Sequence, residues 1–317
     1  MARRKITVIG AGNVGASVAQ QVLAQHLGDV VLVDVQEDLA QGKALDLSQA
    51  GAILGYTGSC VGTGKYEETI DSDVIVVTSG SPRKPGMSRD DLLKINCEIV
   101  HTVVGHAAAA SPDAVLVVVT NPLDAMTYAA LKASGFPARR VTGMAGILDT
   151  ARYRFFLSLA LGVSPENVEA MVLGGHGDEM VPCVPLTRVG GSPVADWLPA
   201  EELERLVART RAGGAEIVQL LKSGSAYYAP AAAAVRMVGA ILRDEQALLP
   251  CAAWLEGEYG LRDVMVGVPV VLGRAGILRI PELKLAAEDL AALRRSAEAV
   301  RELMRQVDEW CLGNLPK

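Results

Sequence analysis

The feature that most constrains this chain is a glycine-rich loop between a strand and a helix near its start. Lys5–Ile9 is a short apolar run typical of a buried strand, and a helix is predicted from about Asn13. Gly10–Gly15 between them (GAGNVG) fits G-x-G-x-x-G. Such glycines permit a tight turn and a close backbone approach, so a pyrophosphate can lie on the helix N-terminus. The pattern predicts a dinucleotide-binding βαβ unit.

An acidic residue follows where such a unit needs one. Asp34 closes the apolar run Val30–Val33, roughly 20 residues after the loop. A carboxylate there accepts hydrogen bonds from ribose hydroxyls and repels a 2′-phosphate, which favours NAD over NADP. The alternative is a glycine-rich turn in an unrelated α/β protein, since the chain holds 32 glycines.

The first half of the chain alternates short apolar runs with helix-length segments. Unalternating apolar runs are typical of strands buried on both faces of a parallel sheet. The strand candidates are Lys5–Ile9, Val30–Val33, Val74–Val77 and Val115–Val119, and the helix candidates are Asn13–Leu27, Leu39–Ser48 and Asp90–Ala110. This order predicts a Rossmann-type doubly wound parallel sheet, an α/β fold, over residues 1–146.

Residues 147–317 are expected to form a second, α+β domain, with the boundary in the glycine-punctuated segment Gly143–Gly146. The helix candidates are Asp149–Leu161, Ala200–Lys222, Ala226–Arg243 and Ala287–Cys311. The strand candidates are Val168–Leu173, Val181–Val189 and a hairpin of Val264–Leu272 with Gly276–Ile280.

Composition narrows the class of protein further. The net charge of −6 argues against nucleic-acid and anionic-membrane partners. The cysteines at 60, 97, 183, 251 and 311 are scattered and odd in number, which predicts free thiols in a reducing compartment. We therefore expect a cytoplasmic protein. Four histidines without Cys/His ligand spacing predict no metal site.

Three segments hold candidates for chemistry. His176 lies in Gly174–Asp178 (GGHGD), where glycines leave the imidazole unshielded as an acid/base needs, although a turn histidine fits equally well. Asp149 and Arg152 share a helix face at i, i+3, either in a site or as a solvated ion pair. Ser81–Arg89 carries Arg83, Lys84 and Arg89 after a strand, as a solvated loop or as a mobile lid that binds anions.

Together these motifs resemble the malate and lactate dehydrogenase family. The matching segments cover nearly the whole chain in order. They are GAGNVG at 10–15, VLVD at 31–34, SPRKPGMSRDDLLKIN at 81–96, VTNPLD at 119–124, GILDTARYR at 146–154, GGHGDE at 174–179 and GSAYYAPA at 224–231. Among members of this family, the likeness is greatest to NAD-dependent bacterial enzymes that act on malate.

The resemblance implies roles for individual residues. His176 would be the proton donor and acceptor, and Asp149 would hold its imidazole in the productive tautomer. Substrate would be bound by Arg152 at the C1 carboxylate, Arg89 at the carbonyl, and Asn121. The implied cofactor contacts are Gly10, Ala11, Gly12, Asn13, Val14, Gly15, Asp34, Asn96, Val119, Thr120 and Asn121.

Arg83 decides the expected substrate. The matching family position is a neutral amide in lactate dehydrogenases and an arginine in malate dehydrogenases. The resemblance therefore implies reversible NAD-dependent oxidation of (S)-malate to oxaloacetate, a tricarboxylic acid cycle step, by a homo-oligomer of two or four copies. Two alternatives stay open: a lactate or broad 2-hydroxyacid dehydrogenase, and a catalytically silent NAD-binding sensor.

Overall fold

A computed structural model of the chain describes residues 3–81 and 88–312, without the side chains of Arg89, Cys311 and Leu312. In the first half the strands are β1 (Lys5–Ile9), β2 (Asp29–Val33), β3 (Cys60–Thr63), β4 (Val74–Val77), β5 (Val115–Val118) and β6 (Val141–Gly143). The helices are α1 (Asn13–Ala24), α2 (Glu37–Leu54), α3 (Arg89–Ala110) and α4 (Leu123–Ser134).

The second half begins with α5 (Ala145–Leu161) and a series of short strands. These are β7 (Val168–Glu169), β8 (Val172–Leu173), β9 (Val181–Pro182), β10 (Arg188–Val189) and β11 (Ser192–Pro193). After them come α6 (Ala200–Leu221), α7 (Tyr228–Leu242), β12 (Ala247–Glu256), β13 (Arg262–Gly273), β14 (Gly276–Arg279) and α8 (Ala287–Val307), which continues as a π-helical turn over Asp308–Leu312.

Six strands of the first half form a parallel sheet in the order β3-β2-β1-β4-β5-β6. Every residue of β4 and β5 is buried, because helices pack on both faces of the sheet. This confirms the predicted doubly wound α/β fold. The carboxyl ends of these strands meet at one edge, where doubly wound folds bind their ligands.

The antiparallel strands β12, β13 and β14 extend the same sheet beyond β6, so that it has nine strands. Ala252 of β12 pairs with Gly143 of β6. The smaller strands form a three-stranded sheet (β11-β10-β7) and a two-stranded one (β8-β9). The boundary expected at residues 146 and 147 lies in the first turn of α5 and stays a prediction.

Several elements differ from the sequence prediction. The sequence pattern missed β3, β6, α4, β11 and β12. β12 holds Pro250 and the pair Ala252 and Ala253, and proline and alanine are uncommon in strands. The segment 181–189 is split into β9 and β10 because Pro182 ends β9 and Pro185 lies in a 3₁₀ turn over Val184–Leu186 between the two strands.

The cysteine prediction holds at three positions and is wrong at one. Cys60, Cys183 and Cys251 are free thiols, whereas Cys97 is disulfide-bonded. The expectation for Cys311 lies outside the described side chains. Within 3–81 and 88–312, none of the helices combines the length and the apolar character needed to cross a bilayer.

Candidate active site

The loop Gly10–Gly15, which we call the phosphate loop, joins β1 to α1 as expected. Gly10 has φ of +104°, and a Cβ on it would lie 2.8 Å from the Ser79 amide nitrogen. A Cβ on Gly15 would lie 1.8 Å from the Gly10 carbonyl oxygen. Both positions therefore require glycine for the loop to fold.

Gly12 is different from its two neighbouring glycines. A Cβ on Gly12 would meet none of the described atoms within 4 Å. The fold of the chain itself therefore does not demand glycine at this position. A bare backbone at a helix N-terminus is what a pyrophosphate needs for close approach, so the loop fits a dinucleotide.

Two side chains brace the phosphate loop. Asp34, directly after β2, accepts a hydrogen bond from the Ala11 amide at 2.7 Å and another from the Gln36 amide at 2.9 Å. Lys43 of α2 donates from Nζ to the Ala11 carbonyl at 2.7 Å. The predicted acidic residue, Asp34, thus lies beside the loop. The hydrogen bond from Lys43 was not predicted from the sequence pattern.

The loops after β4 and β5 are joined by Asn96 of α3, which is 2% exposed. Its Oδ1 accepts from the Ser81 amide at 2.7 Å, and its Nδ2 donates to the Asn121 carbonyl at 2.7 Å. Thr120 donates to the Ser79 carbonyl at 2.7 Å, and the Val119 amide donates to the Val77 carbonyl at 2.9 Å. Asn96 thereby sets the spacing of the two loops, and its expected cofactor contact stays a prediction.

The second group of site residues centres on Asp149 of α5, which is 1% exposed. One of its carboxylate oxygens lies 2.8 Å from Nδ1 of His176, and the other lies 3.3 Å from Nη1 of Arg152. The side chains of His176 and Arg152 are 15% and 13% exposed. The structure thus brings these three predicted residues together, and Asp149 and Arg152 do not form a solvated surface pair.

Burial and the neighbouring carboxylates have opposite effects on the pKa values of His176 and Arg152. Burial alone would lower the pKa of His176, but the charge and hydrogen bond of Asp149, together with Asp124, raise it above its ordinary value. Burial lowers the pKa of Arg152, and Asp149 offsets part of that shift. The Nε atom of Arg152 is buried without a hydrogen-bond partner in the described part of the chain. A buried guanidinium with an unused donor suits an anionic ligand.

The segment Gly174–Gly177, which we call the histidine loop, is held by its backbone. Gly174 donates to the Gly267 carbonyl of β13, Gly175 to Ser296 Oγ of α8, and His176 to Asp124 Oδ2 of α4, each at 2.8 Å. None of these three partners was predicted from the sequence. Only Asp124 had a signal, because it lies in the VTNPLD segment directly after a predicted strand.

Two predicted substrate residues cannot be placed in this geometry. Arg83 lies outside the described residues, as does the Arg89 side chain. The backbone of Arg89 begins α3, and Ser88 caps that helix by accepting a hydrogen bond from the Asp91 amide. The Ser81–Arg89 segment therefore leads into the helix that carries Asn96.

Comparison with known proteins gives one consistent result. Residues 4–143 match the family model of the lactate/malate dehydrogenase NAD-binding domain, and residues 147–310 match that of the lactate/malate dehydrogenase alpha/beta C-terminal domain. A malate dehydrogenase of Thermomicrobium roseum is 56% identical over 307 residues, which is 97% of this chain and 99% of that protein. One of Roseiflexus castenholzii is 55% identical over 94% of this chain and 96% of that protein.

Solved structures of malate and lactate dehydrogenases also superpose closely on this chain. The apo malate dehydrogenase of Picrophilus torridus superposes with a TM-score of 0.96 at 44% identity, over 99% of this chain and 100% of that one. The lactate dehydrogenase of Cryptosporidium parvum, complexed with lactic acid and NAD, gives a TM-score of 0.94 at 38% identity over all of both chains.

Proposed function

This chain belongs to the lactate/malate dehydrogenase family, and we propose that it catalyses the reversible NAD-dependent oxidation of (S)-malate to oxaloacetate. The observation that carries the proposal is the Asp149 carboxylate, shared between the His176 imidazole at 2.8 Å and the Arg152 guanidinium at 3.3 Å. A proton carrier and a carboxylate-binding cation lie side by side there. A 2-hydroxy acid needs this combination at its C1 and C2 atoms.

NAD is held at the carboxyl edge of the sheet. The phosphate loop residues Gly10, Ala11, Gly12, Asn13, Val14 and Gly15 would hold the pyrophosphate, and Asp34 would bind the adenosine ribose. Asn96, Val119, Thr120 and Asn121 would hold the nicotinamide end. The bound cofactor would supply the hydride acceptor, or in reverse the hydride donor, for C2 of the substrate. The fit rests on Gly12, where an added Cβ would meet no described atom within 4 Å, so the space beside the bare backbone is open for a pyrophosphate.

His176 moves the proton. Its Nδ1 faces Asp149, which fixes the tautomer and leaves Nε2 for the substrate oxygen. In malate oxidation the neutral imidazole takes the hydroxyl proton, and in oxaloacetate reduction the imidazolium returns a proton to the ketone oxygen. The Asp149 carboxylate, 2.8 Å from Nδ1, stabilises the imidazolium. Acid/base catalysis of this kind contributes about 10²- to 10⁴-fold in rate.

Arginines orient the substrate. Arg152, with its buried Nε, pairs with the C1 carboxylate. Arg89 polarises the reacting carbonyl, and Asn121 donates a hydrogen bond to the substrate. Arg83 pairs with the second carboxylate of the four-carbon diacid. With pyruvate, Arg83 would have no partner, and an unpaired buried charge costs about 3 to 5 kcal/mol.

Arg83→Gln tests this assignment. NADH oxidation is followed with oxaloacetate and with pyruvate, for the parent and the variant. We expect the ratio of the two kcat/KM values to fall by about 10²- to 10³-fold in the variant. Arg305→Gln, the same change on an exposed side chain of α8, is the control and should leave the ratio unchanged.

The same assay separates the other candidate activities. The second candidate is a lactate dehydrogenase, which the likeness to the Cryptosporidium parvum enzyme supports. A higher kcat/KM of the unsubstituted protein for pyruvate than for oxaloacetate would establish it. A parent that binds NADH without turnover on either ketoacid would be a silent sensor. A parent that used NADPH as well as NADH would contradict the role of Asp34.

We also propose that the chain forms a cytoplasmic homo-oligomer, either a dimer or a tetramer. Large apolar side chains are exposed on α2, α5 and α6, where a second copy could cover them. They are Ile53, Leu54, Phe155, Leu159, Val218 and Leu220. Sedimentation equilibrium would give the number of copies.

A further inference from the structure

The three backbone contacts of the histidine loop differ in one respect. Gly174 and Gly175 donate to neutral oxygens, those of the Gly267 carbonyl and the Ser296 hydroxyl, whereas His176 donates to the Asp124 carboxylate. All three distances are 2.8 Å, so a neutral oxygen is sufficient to hold the backbone in this loop. The carboxylate beside His176 therefore needs a reason other than geometry.

Asp124 is an unfavourable residue to bury. It is 4% exposed, and its Oδ1 is buried without a hydrogen-bond partner among the residues described. Burial raises the pKa of Asp124 to about 6, against the opposing effects of the His176 amide and charge. A neutral asparagine could accept the same hydrogen bond at lower cost, because burying a charge is far more costly than burying an amide.

The charged groups that face His176 explain what the second carboxylate supplies. Among the described residues they are Asp149 and Arg152 on α5 and Asp124 on α4. The groups of α8 and β13 that contact the neighbouring Gly174 and Gly175 are uncharged, namely Ser296, Val300 and Gly267. Without Asp124, a protonated His176 and Arg152 share one carboxylate and leave an excess positive charge. With Asp124, these two cations face two carboxylates within the part of the site that the structure describes.

We propose that Asp124 is a positioning residue for His176, whose charge favours the protonated imidazole and whose Oδ2 fixes the His176 backbone. The inference rests on the proposed dehydrogenase function. It assigns Asp124 a part in setting the pH range over which each direction of the reaction runs. Oxaloacetate reduction needs the imidazolium and is lost as pH rises through the His176 pKa. Malate oxidation needs the neutral imidazole and appears over the same range.

Asp124→Asn is the test, because the asparagine Oδ1 can still accept from the His176 amide. The kcat/KM of both directions is measured from pH 5 to 10, with NADH affinity as the check on folding. Removing the charge lowers the His176 pKa, so we expect both midpoints to move to lower pH by at least about half a unit. Ser296→Ala, the neutral counterpart, should lower kcat without moving either midpoint.

The outcomes separate the inference from the proposed function. If Asp124→Asn binds NADH and keeps both midpoints of the parent, the charge has no role and the inference is overturned. A parent without turnover on oxaloacetate overturns the function instead. If Asp124→Asn does not fold, Asp124→Glu keeps the charge while displacing the acceptor. That variant should keep the midpoint and lose at least about tenfold in kcat, and unchanged kcat with a moved midpoint would refute the proposal.

Discussion

The phosphate loop and the histidine loop are both built around glycines, but they are held in different ways. The phosphate loop is held mainly by residues that follow it closely in the chain, Asp34 after β2 and Lys43 of α2, which are 23 and 32 residues from Ala11. Thr78, after β4, adds a more distant hydrogen bond to the Gly10 carbonyl. The histidine loop is held by Asp149, Asp124 and Ser296, at separations of 27, 52 and 121 residues. Most side-chain contacts of the phosphate loop therefore come from the next strand and helix, whereas two of the three partners of the histidine loop come from more than 50 residues away.

The different partners imply that a substitution can impair the function of one loop without impairing that of the other. Damage to the partners of the histidine loop should stop proton transfer and leave the cofactor bound, whereas damage to the phosphate loop should weaken the cofactor and leave the histidine in place. Variants in each loop test whether proton transfer and cofactor binding are independent.

The largest effect is expected from Asp149→Asn. The amide cannot stabilise the imidazolium, and its NH₂ group can present a donor to Nδ1 and select the wrong tautomer. We expect kcat to fall by about 10²- to 10⁴-fold, with the NADH dissociation constant within about twofold of the parent. Stopped-flow turnover and fluorescence titration measure the two quantities.

A fall in NADH affinity as large as the fall in kcat would show that the two loops are coupled. His176→Asn provides the comparison, since it removes the proton carrier itself and should show the same pattern. If His176→Asn keeps the parent's kcat, neither residue has the proposed role.

The distance along the chain between contacting residues also explains which contacts could be predicted from the sequence. The G-x-G-x-x-G segment and Asp34 lie close together in the chain, so their spacing alone predicted their meeting beside β1 and β2. His176, Asp149 and Arg152 were identified from their motifs, but no periodicity shows that α4 and α8 hold the histidine loop. β12 was missed because Pro250 lies within it, opposite Pro269 of β13, and such a pairing exists only in the folded sheet.

Asp124→Asn should also change stability with pH. The folded-state pKa of Asp124 is raised from 3.8 to about 6, so its stabilising effect is present below about pH 4 and is lost as pH rises through 6. Above pH 6 the buried charge costs about 3 kcal/mol, at about 1.4 kcal/mol per pKa unit. We therefore expect the asparagine variant to be more stable than the parent at pH 8, and to differ little from it at pH 4.

Asp91→Asn is the matched control for that stability measurement. Hydrogen bonds from Ser88 lower the pKa of Asp91, so its charge favours the folded state and its loss should have the opposite sign. Urea unfolding of the three proteins at the two pH values, at fixed protein concentration, gives the comparison. An Asp124→Asn variant less stable than the parent at pH 8 would mean that the carboxylate is retained for folding and not for the reaction.

The smallest effects distinguish two glycines of the phosphate loop, Gly15 and Gly12. An alanine at 15 places its Cβ 1.8 Å from the Gly10 carbonyl, so Gly15→Ala should lower the free energy of unfolding by about 1 to 3 kcal/mol and weaken NADH binding. An alanine at 12 meets none of the described atoms within 4 Å, so Gly12→Ala should change stability by less than about 0.5 kcal/mol. Its methyl group would instead separate the backbone from the pyrophosphate.

We expect Gly12→Ala to raise the NADH dissociation constant by about tenfold or more, which is about 1.4 kcal/mol. Thermal melts with and without NADH test both variants. The parent and Gly12→Ala should melt together without cofactor and separate when NADH is added, whereas Gly15→Ala should melt lower in both conditions. Because the methyl group at 12 can affect only a bound molecule, equal NADH stabilisation of the parent and Gly12→Ala would move the pyrophosphate away from this loop.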